Sequence, residues 1–176
     1  DGIAVFNLTK TEPIIKNNNS NLGVIVFYEN LLDAQNSQNP ILTPNNYTNK
    51  LNNQIIIAKV SDNNLCANYA ELTLRISNQT IAPPPPTIVC DIDGNSDGIY
   101  QIDLMTIATS GHFSGIGSSI VVDFYLNATD ASLERNKLST LFTNTIPYQQ
   151  TICARITNGS ACYAMTSIEL IVNTFN

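Results

Sequence analysis

The chain repeats itself. Asp1-Gly2-Ile3 recurs as Asp97-Gly98-Ile99, 96 positions later. With the offset drifting only between 95 and 97, Tyr28 pairs with Tyr125, Asp33-Ala34 with Asp130-Ala131, and Asn39 with Asn136. Thr48-Asn49 pairs with Thr143-Asn144, Gln54 with Gln150, Lys59-Val60 with Arg155-Ile156, and Cys66 with Cys162. Leu72, Leu74 and Ile76 pair with Ile168, Leu170 and Val172. A chance match does not hold one register over such a length, so the 176 residues are two copies of one unit and not a single large domain. Between the copies runs Ala82-Pro83-Pro84-Pro85-Pro86-Thr87, whose prolines favour stiff, extended polyproline II backbone. Residues 1–81 are thus expected to form the first copy, shortened at its start, 82–87 a spacer, and 88–176 the second copy. A ligand for a proline-binding domain is the sharper reading of the spacer and a linker the plainer one.

Inside each copy the apolar period is two, the period of a strand with one buried face. Ala4, Phe6 and Leu8 alternate, as do Tyr100, Ile102 and Leu104. Ile56, Ala58 and Val60 are repeated by Ile152, Ala154 and Ile156, and Val122, Phe124 and Leu126 correspond to Ile25, Phe27 and Glu29. Asn158-Gly159-Ser160 predicts a hairpin turn between the last two strands. No long amphipathic helix is evident. Asp33 and Asp130 are candidates to cap short helical turns, and Thr106 to Ser118 reads as loop. The expected fold is all-β: two tandem immunoglobulin-like antiparallel β-sandwich repeats arranged end to end.

Composition narrows the functions. Charged residues make up 12% and the net charge is −6, so there is no basic stripe for nucleic acid and no polybasic patch for direct membrane association. No apolar run reaches the ~20 residues of a membrane span. The opening on Asp1-Gly2 reads as a boundary inside a longer chain, with any export signal outside it.

The four cysteines are at 66, 90, 153 and 162. Cys66 and Cys162 hold equivalent places at the tip of the last hairpin, and Cys90 precedes the second copy's first strand. If that strand begins at the end where the hairpin turns, Cys90 and Cys162 are neighbours, and a disulfide between them would close nearly the whole second copy, worth about 4 kcal/mol in the chain-entropy model. Cys66 would lie far from Cys90, with its natural partner ahead of Asp1. Cys153 replaces Ile57 and reads as a small apolar residue. Paired cysteines imply an exported, oxidising compartment.

The most chemical stretch is Cys90-Asp91-Ile92-Asp93-Gly94-Asn95-Ser96-Asp97-Gly98-Ile99. Oxygens at Asp93, Asn95 and Asp97, followed by Gly98, form the first half of a calcium loop, with Asp91 and Asp103 as further ligand candidates. The twelfth position would be Leu104 and not the bidentate Glu, so the pattern is not an EF-hand. The competing reading is an Asp/Asn-rich turn capping its own backbone donors.

An enzyme is not expected. His112 is the only histidine, in a Ser/Gly-rich loop beside Ser110 and Ser114 without an acid to anchor it. No phosphate loop, nucleophile elbow or cleft-facing pair of carboxylates is recognisable. Exposed aromatics for stacking on sugars would have to be Tyr28, Tyr125, Tyr148 and Tyr163, because there is no Trp.

The Cys-Asp-x-Asp-Gly opening at 90–94, Tyr125 with Asp130-Ala131, and Gln150 through Cys162 together resemble the repeats of giant gliding-motility adhesins of Bacteroidota, of the SprB kind, exported by the type IX system. The resemblance covers essentially the whole chain. It departs in the missing leading segment of the first copy and in Cys153. It implies a structural stalk repeat on the outer cell surface of a Gram-negative bacterium, serving adhesion and gliding. The implied partners are adjacent repeats of the same chain and an extracellular polysaccharide or substratum. A carbohydrate- or protein-binding module, or an accessory domain of a secreted enzyme, are the alternatives.

Overall fold

The computed structural model describes residues 2–62, 66–76, 81–113, 119–158 and 163–174. Its internal contacts divide it into two units, Asp1–Ile76 and Ser77–Asn176, one for each copy.

The first unit carries β1 (Val5–Phe6), α1 (Glu12–Lys16), β2 (Leu22–Tyr28), α2 (Leu31–Asn36), β3 (Tyr47–Thr48), β4 (Ile55–Asp62) and β5 (Ala67–Thr73). Strands β2-β4-β5 form one antiparallel sheet and β1-β3 a second. The period-two pattern does what it predicts: Ile56, Ala58 and Val60 on β4 and Ile25 and Phe27 on β2 face inward, joined by Leu8, Tyr47 and Leu74. The opposite face of the large sheet is not left to solvent. There Tyr28 and Ile57 pack under Ala34 of α2.

The second unit repeats this plan with β6 (Thr87–Asp91), β7 (Gln101–Asp103), α3 (Leu104–Thr109), β8 (Val121–Tyr125), α4 (Ala128–Leu133), β9 (Leu141–Thr143), β10 (Gln149–Thr157) and β11 (Tyr163–Thr174). The large sheet has the order β6-β11-β10-β8 and the small one is β7-β9. Phe124, Ile152, Ala154, Ile156, Ile168, Leu170 and Val172 from the first meet Ile102 and Phe142 from the second, with Leu104, Ile107 and Phe113 closing the core. On the outer face Tyr125 and Cys153 lie under Ala131 of α4. Each unit is therefore a β-sandwich with one short helix laid on its larger sheet, and the chain is all-β in class.

Four sequence expectations are refined. The sheets are antiparallel except at one edge, where β6 runs parallel to β11, from Thr87 beside Leu170 to Asp91 beside Thr174. Parallel neighbours need a long crossover, and here nearly the whole copy supplies it. Thr87, counted with the spacer by composition, already belongs to β6. Thr106 to Thr109, expected as the start of a loop, belong to α3, which begins at Leu104, where the strand alternation was expected to continue; Leu104 and Ile107 recur at helical spacing on its buried side. The caps of α2 and α4 are Asn30 and Asn127, whose side chains accept from the backbone N–H of Asp33 and Asp130. The two aspartates stand three residues further on, and each accepts from the side-chain Nδ2 of its cap through Oδ2.

Candidate functional site

The polar residues that match between the copies are engaged with the backbone. Asn144 is buried, and its Oδ1 accepts from Tyr100 N–H at 2.7 Å while its Nδ2 donates to the carbonyls of Gly98 and Ile146, each at 2.8 Å. Asn49 repeats all three bonds with Ala4, Gly2 and Leu51. Gln150 accepts from Thr145 N–H, and Gln54 from Lys50 N–H, both at 2.7 Å. Each side chain stands in for a missing ladder partner where the strands turn. Gly98 sits at φ +74 with the Tyr148 ring so close that an added Cβ would lie 2.5 Å from it, so both conformation and space require glycine there.

The next match, Lys59 with Arg155, ties β4 and β10 to their helices. Lys59 Nζ donates to the Ala34 carbonyl and to Ser37 Oγ. Arg155 is buried and donates to Glu134 Oε1 at 2.6 Å. Beside it, a hydrogen bond from Arg135 holds the Asp130 carboxyl below the usual range, against the opposing effect of its desolvation. A groove of about 350 Å³ lies next to α4, lined by Leu126, Ala128, Cys153 and Met165 among others. Burial pushes the Cys153 thiol up, which keeps it protonated and a poor nucleophile at neutral pH.

The acidic stretch folds as a series of turns that accept from their own backbone. Asp93 Oδ1 accepts from Asn95 N–H, Asn95 Oδ1 from Asp97 N–H, and Asp97 Oδ1 from Ile99 N–H. Asp91 is buried at the end of β6, where Oδ2 accepts from Gly98 N–H at 2.9 Å and Oδ1 has no hydrogen-bond partner among the described residues. Asp103 is drawn away into another role, as the cap of α3, accepting from Met105 N–H. Among the described residues no group of three or more His, Cys, Asp or Glu side chains comes together as a metal site. His112 is exposed, Ser110 donates to the Ile107 carbonyl, and Ser114 lies outside the described residues. Of the tyrosines, Tyr28 and Tyr125 are buried and cannot stack on a sugar, while Tyr148 is 52% exposed.

The cysteines hold different places in their copies. Cys66 is exposed at the hairpin before β5, with its N–H bonded to Asp62 Oδ1 at 2.8 Å and its carbonyl accepting from Asp62 N–H. Cys90 is exposed on β6, level with Asn173 of β11. Cys162 lies outside the described residues. Tyr163, next to it in the chain, pairs with Thr157 at the hairpin end of the sheet. Asn173 is ten residues further along β11, about 33 Å at ~3.3 Å per residue, whereas bridged cysteines have Cα atoms within about 7 Å. The premise for a Cys90–Cys162 bridge inside one copy is thereby corrected: β6 runs parallel to β11 and carries Cys90 away from the hairpin, not toward it.

Sequence reasoning missed the buried amide pair and the basic residue behind the helix as structural groups. The signal was present, since all four positions hold the repeat register.

A family profile described as the Flavobacterium inter-domain disulphide bond domain matches this chain twice, over residues 1–81 and 86–176. No curated protein was found to match.

Proposed function

Because the chain belongs, through both of its copies, to the Flavobacterium inter-domain disulphide bond domain family, we propose that it is a structural stalk segment of an exported flavobacterial surface adhesin of the gliding-motility type. The observation that carries this reading is the use made of the matching polar residues. Asn49 and Asn144, Gln54 and Gln150, Lys59 and Arg155 all hold backbone or helix in place. What two copies share is therefore a scaffold, and a scaffold repeated in tandem supplies length. Exposed Cys66 and Cys90 suit an oxidising exterior, where bonds between domains resist extension and proteolysis. The segment performs no catalysis in this reading; its partners are neighbouring repeats, and contact with polysaccharide or substratum belongs to the parent protein.

Antibodies against residues 1–176 should label intact cells that carry the parent gene, and disruption of that gene should reduce attachment and spreading on a solid surface. Label found only after lysis, or attachment unchanged, would overturn the reading.

A second reading concerns calcium at the start of the second copy. It is favoured by Asp91 Oδ1, a buried carboxylate oxygen without a hydrogen-bond partner among the described residues. A rise in Tm with millimolar calcium that is lost in Asp91→Asn supports it. The same Tm in calcium and in chelator leaves Asp91 as the cap of Gly98 alone.

A further inference from the structure

We propose that the first copy carries an open strand edge just beyond β5, at residues 74–76, and that this edge takes a parallel polypeptide strand with the chemistry of Thr87–Asp91. The inference stands on a comparison of the two large sheets and not on the stalk reading.

The two sheets match strand for strand, β2 with β8, β4 with β10 and β5 with β11, and β6 is left over. β5 begins at Ala67 and β11 at Tyr163, the same place in the repeat register. β5 then ends at Thr73 after 7 residues, whereas β11 runs for 12, to Thr174. The five residues by which β11 is longer, 170–174, are the five that pair with β6. β10 pairs with β11 no further than Ile171, so beyond it the ladder partner is β6. In the first copy the counterparts 74–76 follow β5 without joining a strand, and 77 and 78 lie outside the described residues. Among the described residues β4 is the only strand paired with β5.

The core is open at the same place. In the second copy Val89 packs against the core, and Ile168 and Val172 are buried. Their counterparts Leu72 and Ile76 are only partly buried. The backbone is set for a neighbour. Leu74 N–H donates to the Gln54 carbonyl, toward β4, so strand alternation turns the Arg75 N–H to the opposite edge. The far end of the added strand has its contact too. Gly2 holds φ +75 as Gly98 holds φ +74, and it is the Gly98 N–H that Asp91 accepts. The occupant is therefore a short extended segment with a β-branched residue at its third place, facing the core, and a carboxylate at its fifth for the Gly2 N–H. Unpaired N–H and C=O groups on an edge are a template for such a strand, the main chain giving the pairing and alternate side chains the selectivity. In the second copy the segment is delivered by the polypeptide leading into that copy, and the source assigned to the first copy is the same in kind.

The test places a run of residues 81–96 directly ahead of Asp1 of the full chain, which keeps the repeat register because Asp97 matches Asp1. Cys90→Ser in the added run excludes thiol chemistry. Amide exchange at Arg75 should slow by roughly tenfold or more as its N–H gains a ladder partner. Nuclear Overhauser contacts should join Val89 of the added run to Ile76, as Val89 is level with Val172 in the second copy. The same run carrying Val89→Lys and Asp91→Ala should give neither effect. Unchanged exchange at Arg75, equal slowing with the altered run, or contacts that place the added Val89 beside residues other than 74–76 would overturn the proposal. Cell attachment does not enter this readout, so the strand edge and the stalk reading fail independently.

Discussion

The two copies agree in one region and diverge in another. At the sandwich corner they are the same to the atom: Asn49 and Asn144 each make three backbone bonds from a fully buried amide. On the helix-bearing face they differ. Ile57 becomes Cys153 and Lys59 becomes Arg155, and the contact to a carbonyl and a hydroxyl becomes a contact to Glu134. The corner admits one residue because its partners are fixed backbone groups, whereas the helix face asks only for a close-packed Ala and a long cation behind it.

The largest effect should come from removing the shared part. Asn144→Ala leaves one N–H and two carbonyls without their partner in a buried corner, at roughly 1–3 kcal/mol for each group that water cannot reach. A loss of about 3 kcal/mol would lower the Tm of a copy this size by some 12 °C or more. Asn49→Ala should do the same to the first copy, and calorimetry with copy-resolved amide exchange would show it. Falls that differ by more than twofold would break the equivalence on which the comparison stands.

Next in size is the divergent cation. Arg155→Ala strands Glu134 and empties a buried volume, and should cost about 2 kcal/mol, in the range for hydrogen bonds to charged groups. Lys59→Ala loses two bonds that water can partly replace, and should cost about 1 kcal/mol by the same reasoning. Equal costs in urea titrations would show that the two faces are held alike despite their chemistry.

Much of this was legible in the residues. The repeat register and the period-two runs located both units and the inward faces of β4, β10 and β11. Asn39 and Asn136 matched because both adopt positive φ, which asparagine tolerates better than most side chains. Strand direction was not legible. Nothing in Thr87–Asp91 tells a parallel edge strand from an antiparallel one, since register and direction come from partners far along the chain. That single unknown carried the Cys90–Cys162 expectation with it. The acidic loop was ambiguous for a different reason: alternate oxygens suit a cation and suit backbone N–H groups equally, and only the fold shows which donors are near.

A smaller effect follows from Asp130. Its carboxyl is held low chiefly by the Arg135 hydrogen bond, so its folded pKa lies below its unfolded one. The resulting stability is present above the ordinary Asp range and is lost as pH falls through the folded value. The second copy should therefore lose stability as it is acidified below about pH 4, the ordinary Asp value. Asp130→Asn should flatten that limb of its Tm–pH curve. A curve of unchanged shape in the variant would remove Asp130 from the account.

The smallest effect should be at Cys153, and it sharpens the comparison most. Cys153→Ile restores the residue of the first copy under Ala131, a hydrophobic exchange that costs or gains under about 1.5 kcal/mol because the helix beside the groove can adjust to the added methyl groups. If the shift is that small, the outer faces of the two sheets are interchangeable supports. The same thiol should react with an aromatic disulfide reagent far more slowly than Cys66 or Cys90, since it is buried and held protonated while they are exposed. Reaction at the rate of the exposed pair would mean that α4 lifts from the sheet in solution. The helix face, and not the corner, would then be the part of the copy that moves.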